Sequence, residues 1–130
     1  MVVNIKEKNN FMSAIFKYDH CGDFNEGLAW VCLNDKYGFV NKDGVEVIPP
    51  INDNVNDFCE GMAGVSVDDK YGFINTQGHV VVPICYDKIL DFSEGFAVVA
   101  VENEGHWLIE KYGNIASQGW EGYRAKVILS

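Results

Sequence analysis

Ala29, Val31 and Leu33 alternate with residues of the opposite face, and the same step returns at Ala63, Val65, Val67 and again at Ala97, Val99, Val101. An apolar period of two over five or six residues predicts a half-buried strand. Short polar turns follow at Asn34-Asp35-Lys36 and Asp68-Asp69-Lys70, leading to second strands over 37–41 and 71–75. Lys42-Asp43-Gly44 and Thr76-Gln77-Gly78 each end in a glycine that can take positive φ, which predicts another tight turn. Third strands are expected over 45–48 and 80–82, stopped by Pro49-Pro50 and Pro83 because proline cannot donate to a ladder. Residues 11–16 also read as a strand, and 123–129 as a final one.

The pattern is one sentence written repeatedly. Phe24-Asn25-Glu26-Gly27-Leu28-Ala29 comes back as Phe58-Cys59-Glu60-Gly61-Met62-Ala63, and once more from Phe92, a period of 34 residues. A fixed period of that size means stacked units that bury their apolar faces against one another. Two-helix repeats of the same length need apolar residues three and four apart, and the alternation here excludes them. The expected fold is all-β: tandem antiparallel β-hairpin repeats of 34 residues in an open, solenoid-like array with capping segments. As one repeat domain, the chain divides into an N-terminal cap and half-repeat (1–23), repeats at 24–57 and 58–91, a degenerate repeat at 92–119 and a C-terminal capping strand (120–130). In the degenerate copy, Trp107 stands for Phe39 and Phe73 and is expected in the core.

Phe-x-Glu-Gly-hydrophobic-Ala-x-Val, then Lys-Tyr-Gly-Phe, a glycine turn, Val-x-Pro and Tyr-Asp resembles the WG (KWG) repeat of bacterial proteins over roughly residues 18–113. The signature Trp-Gly is here Tyr37-Gly38 and Tyr71-Gly72, and is absent from the third copy. The resemblance implies β-hairpin repeats serving as interaction or accessory modules, and it implies no catalytic residues.

Charge narrows the partners. With 10 basic and 19 acidic residues the formal charge is −9, which repels phosphate backbones and anionic headgroups. Nucleic acid and membrane are therefore not expected partners, whereas a basic protein would be steered inward. Oligomeric state is left open by the sequence. The four cysteines have no metal-knuckle or redox spacing, the N-terminus shows no long apolar leader, and no cofactor or metal is expected. Free thiols in a reducing cytoplasm are the expectation.

Asp23, Asp57 and Asp91 precede the repeated Phe, and Glu26, Glu60 and Glu94 follow it. A catalytic pair is needed once, so a thrice-repeated one predicts carboxylates bonding turn amides. His20, His79 and His106 fall at different repeat positions, and no nucleophile sits in a strained Gly turn, so no enzymatic activity is expected. Residues that break the period are better binding candidates, because packing must obey it. Trp30 takes the slot of Gly64 and Val98, opposite Ala29 and Val31, and reads as an exposed anchor or as a cap over the N-terminal segment. Trp120, Tyr123 and Arg124 form a second non-repeated group with the same two readings. Asp68 and Asp69 belong to a stretch without a base. The expected function is a non-catalytic module binding a basic protein, in its narrowest form an immunity or antitoxin protein. The alternative is a carbohydrate-binding module using exposed Trp and Asp or Asn.

Overall fold

Twelve strands make up the computed structural model, which describes residues 15–111 and 115–117. They form three antiparallel sheets of four strands each, in plain up-and-down order. The first holds β1 (His20–Cys21), β2 (Leu28–Leu33), β3 (Lys36–Asn41) and β4 (Glu46–Asn52). The second holds β5 (Asn54–Val55), β6 (Met62–Val67), β7 (Lys70–Asn75) and β8 (Val80–Tyr86). The third holds β9 (Lys88–Ser93), β10 (Phe96–Val101), β11 (Gly105–Glu110) and β12 (Ile115–Ser117). The architecture is the expected all-β array of 34-residue units with open sheets. Each sheet starts four residues before the repeat as drawn from Phe24, Phe58 and Phe92, because an edge strand opens there, short in the first two sheets and running through Phe92 in the third.

Alternation puts the two faces of each sheet against different neighbours. In the second sheet, Ala63, Val65 and Ile74 join Leu28, Phe39 and Ile48 of the first. Met62, Phe73 and Val82 face the other way and pack with Ala97, Val99, Trp107 and Ile109 of the third. Phe39–Phe58 and Phe73–Phe92 meet edge to face across successive units, with centroids 4.7 and 4.9 Å apart. Such contacts add about 0.5–1.5 kcal/mol each beyond the area they bury. The free face of the first sheet, Ala29, Val31 and Val40, is covered by Tyr18. The Tyr18 hydroxyl donates to Glu46 Oε2 at 2.5 Å. Burial first, then that carboxylate, pushes the phenol well above its ordinary range.

Three expectations are corrected. Ile15 and Phe16 lie in a helical turn closed by Tyr18 N–H to the Ile15 carbonyl (3.1 Å), not in a strand. This turn brings Tyr18 back over the sheet face, which an extended segment would overshoot; residues 11–14 lie outside the described part. The prolines do not end the third strands. β4 runs through Pro49-Pro50 and β8 through Pro83, with pairing that jumps from Phe39↔Ile48 to Tyr37↔Asn52 and from Phe73↔Val82 to Tyr71↔Tyr86. A bulge takes the residues that cannot donate and resumes the ladder beyond them.

The bulge explains the glycine of the Tyr-Gly signature. A Cβ on Gly72 would sit 2.5 Å from the Val82 carbonyl oxygen and 2.7 Å from that of Pro83, and Gly38 faces Ile48 and Pro49 in the same way. Neither glycine has positive φ; the folded-over backbone is what excludes a side chain. The third correction follows. Trp107 pairs with Val99 as Gly72 pairs with Val65, so it replaces the glycine and not the Phe, whose place Leu108 takes. The inserted residue lies in the Glu102-Asn103-Glu104 turn. Trp107 is fully buried, as expected of a core residue. Gln118 follows Ser117 where proline follows Val82, and an indole fills the site that glycine leaves to the bulge.

Candidate functional site: the acidic turn edge

Two rows of turns, one at each end of the strands, carry the repeated carboxylates. In the first row Glu26-Gly27, Glu60-Gly61 and Glu94-Gly95 are two-residue hairpin turns. Both residues of each have positive φ, from 52° to 53° at the Glu and 81° to 88° at the Gly. This is the left-handed pair that a type I′ turn requires. Glu is poor in that conformation, and its carboxylate shows why it is there. Glu26 Oε1 accepts the Gly61 amide of the next unit at 2.7 Å. Glu60 accepts both Glu94 N–H (2.6 Å) and Gly95 N–H (2.7 Å). The expected bonding of turn amides therefore holds for these glutamates, and it runs between units. Asp91 instead accepts Asn56 Nδ2 at 3.0 Å, again across units.

The second row is formed by Asn34-Asp35, Asp68-Asp69 and Glu102-Asn103-Glu104. Asp68 and Asp69 have φ of 53° and 65°, so both stand on a tight left-handed turn. Each turn is pinned by an aspartate fifteen residues earlier. Asp19 Oδ2 accepts Asn34 N–H (2.9 Å), Asp53 Oδ2 accepts Asp68 N–H (2.7 Å) and Asp87 Oδ2 accepts Glu102 N–H (2.7 Å). The other oxygen of Asp53 holds Lys36, and that of Asp87 holds Lys70 at 2.5 Å. These lysines, then the turn amides, keep both carboxyls below the usual carboxylate range. Reciprocally, the bond to Asp53 or Asp87 holds each lysine above its usual range. The lysines are exposed and the aspartates half-buried at the surface, so the pairs fix geometry more than they stabilise.

Lys36 and Lys70 are thus committed to Asp53 and Asp87. Asp35, Asp68, Asp69, Glu102 and Glu104 remain as exposed carboxylates with no ion pair among the described residues. Between the second and third turns lies a cavity of about 610 Å³ whose lining includes Asp69, Asp87, Glu102, Lys88, His106 and the apolar Ala100 and Val101. Three carboxylates against one lysine leave the walls acidic over an apolar floor, which suits a cationic side chain with a long stem.

The other sequence candidates fall elsewhere. Trp30 is half-buried, not exposed. Its ring lies against the Gly22 backbone, where no Cβ would fit, and meets Tyr37 edge to face at 5.5 Å. It also packs against the cluster joining the first two sheets, as does Val55 of the second unit's edge strand. In the next interface that slot is Gly64, over which Ile89 closes. Trp30 therefore has a packing role between β1 and the second sheet. Trp120, Tyr123 and Arg124 lie outside the described residues. Asp53, Asp87, Lys36 and Lys70 were not singled out by sequence, although Asp19, Asp53 and Asp87 recur at the 34-residue step. Among the described residues no group of three His, Cys, Asp or Glu gathers to hold a metal.

Comparison with known proteins agrees with this geometry. No curated protein shows significant similarity to the chain. A family model described as "WG containing repeat" matches three consecutive stretches, residues 5–37, 37–71 and 71–104. The last two matches begin on the Tyr of unit one and of unit two, and in both units the following glycine lies under the bulged strand. With matches covering well over half its length, the chain belongs to the WG-repeat family.

Proposed function

We propose that this chain is a non-catalytic protein-binding module that takes a basic partner along the acidic turn edge. A Lys or Arg of the partner would enter the cavity between the second and third turns. The observation that carries the reading is the row of exposed carboxylates at Asp35, Asp68, Asp69, Glu102 and Glu104, beside a cavity whose walls set Asp69, Asp87 and Glu102 against Lys88. Stacking sets these charges side by side, and a field of one sign raises association rates toward a basic surface. An immunity or antitoxin protein that blocks a basic toxin is the narrowest form of the reading, supported by a charge of −9. Four free thiols support a reducing, cytoplasmic setting.

The test uses fluorescent peptides of alternating Arg and Leu, with Glu and Leu peptides as controls. Asn tolerates left-handed backbone, so Asp69→Asn removes charge without straining the turn. The Arg peptide should bind the intact chain, weaken as salt rises, and associate more slowly with the Asp69→Asn, Glu102→Gln double variant. Equal binding of the acidic control, or an affinity indifferent to salt and to both substitutions, refutes the reading. A salt-indifferent affinity for oligosaccharides instead would favour the carbohydrate alternative.

A further inference from the structure

The 34-residue step brings the same four positions together in every unit. In the first they are Gly22, Trp30, Cys32 and Tyr37, and in the second Asn56, Gly64, Ser66 and Tyr71. Cross-strand pairing fixes the third set. Gly22 N–H bonds to the Trp30 carbonyl and Asn56 N–H to that of Gly64, and Leu90 pairs with Val98 in the same place. Tyr37 pairs with Cys32 and Tyr71 with Ser66, so the fourth member in the third unit is His106, opposite Ala100.

These positions form a slot, and the three units treat it differently. In the first unit it holds the indole of Trp30, which lies against Gly22, meets Tyr37 edge to face and packs onto the second sheet. In the second, Gly64 supplies no side chain and Ile89 of the third sheet closes over it; a Cβ there would stand 2.6 Å from Ile89 Cδ1. Beside Ser66 and Tyr71 a cavity of about 180 Å³ is left. In the third unit the slot is open. Leu90, Val98, Ala100 and His106 line a cavity of about 510 Å³, together with Ile89 and with Asn56 and Tyr71 of the second unit. That volume lies within the range of ligand-binding clefts. Asp87, Lys88, Ala100 and His106 line the acidic cavity as well, so the two cavities adjoin.

We propose that this third slot takes one large apolar side chain of the basic partner, an aromatic ring by preference, beside the Lys or Arg held in the acidic cavity. The chemistry of the occupant is read from the first unit, where the equivalent positions hold an indole. Leu90 is 65% exposed and Val98 half-buried, so a ring placed over them removes from water apolar surface that the chain leaves wet. Aromatic anchors seated in pockets supply much of the affinity of an interface, while charge mainly sets the association rate. The cation of the partner is thus steered in, and the ring next to it is retained. This partner is the one that the acidic turn edge selects, so the slot rests on that reading and adds what must stand beside the cation.

Fluorescent peptides of alternating Arg and Trp, and of alternating Arg and Ser at equal charge, separate the two cavities. On the intact chain the Trp peptide should bind at least about tenfold more tightly than the Ser peptide at one salt concentration. Val98→Trp plugs the slot with the side chain that the first unit carries there, and Leu90→Ser removes part of its apolar wall. Each should bring the Trp peptide down to the level of the Ser peptide without changing how the Ser peptide binds. Leu90 stands at the surface, so its variant keeps the test intact if Val98→Trp strains the sheet. Equal affinities of the two peptides for the intact chain overturn the slot, and the acidic edge survives that result if the shared affinity falls with salt. A Trp preference that both variants leave in place also overturns it, since the ring then docks elsewhere. Binding of neither peptide overturns the slot and the acidic edge together.

Discussion

Gly61 and Gly72 are needed for different reasons, and two alanine substitutions separate them. Gly61 has φ of +81° and nothing within 4 Å of an added Cβ, so only the backbone resists a side chain there. A non-glycine residue in that region costs about 1–2 kcal/mol. Gly72 lacks positive φ, but its Cβ would lie 2.5 Å from the Val82 oxygen, 2.7 Å from the Pro83 oxygen and 2.8 Å from Ile84 Cα. All three are backbone atoms of a strand paired on both sides of the bulge. Bringing them to ordinary contact means moving that strand by about 1 Å, an overpacking that costs about 3 kcal/mol or more. Urea melts of Gly61→Ala and Gly72→Ala, followed by far-ultraviolet circular dichroism, should show the second losing at least twice as much stability. On a domain of this size each kcal/mol is worth about 4 °C in melting temperature, so a thermal scan gives an independent reading. If Gly72→Ala costs no more than Gly61→Ala, the close approach of the bulge does not explain the signature glycine.

Glu60→Gln keeps the shape of the side chain but replaces one of two accepting oxygens with a donor, so it should cost about 1 kcal/mol in a urea melt; an unchanged midpoint means the inter-unit bonds contribute nothing. Asp53 and Asp87 have lowered native pKa values, so their contribution is complete above the ordinary carboxylate range and disappears as pH falls through the lowered values. Midpoints measured against pH should show an acid-side loss that is smaller in Asp53→Asn, Asp87→Asn; an identical slope would remove the pairs from the account. Thiol titration after unfolding without reductant should count four. In the native protein Cys59 should react slowly despite its exposure, because desolvation first and the carboxylates of Glu60 and Asp91 next hold its pKa up; an immediate reaction would contradict this.

The sequence showed the strands clearly because Ala63, Val65, Val67 and their copies keep a strict step of two, which only an extended chain turns to one face. It misplaced what depends on pairing. Pro49-Pro50 and Pro83 read as stops because a bulge that carries the ladder past them is visible only in the partner strand. Trp107 was matched to the wrong neighbour for a related reason: a one-residue insertion can be placed anywhere until the cross-strand partner of Val99 is known. The exposed acids Asp68 and Asp69 were legible at the candidate site. The aspartates that hold their turn were not, since a 34-residue period does not reveal whether a side chain bonds within its own unit or reaches the next. Trp30 stood out correctly as a break in the period, but its burial depends on the Gly22 backbone, which no local pattern reports.

Because the carboxylates of Glu26 and Glu60 reach forward by one repeat, the array has a built-in counting rule. Any whole unit added or removed leaves every donor opposite an acceptor, whereas a change of any other length sets Glu against the wrong amide. Duplicating residues 54–87 in place should thus give a longer folded chain with at least the original melting temperature, since interfaces between like neighbours add. Lengthening the same segment by one residue fewer should not fold. The array can change its length by genetic duplication without redesigning a single contact, and this freedom comes from side chains that would otherwise look like ordinary surface acids.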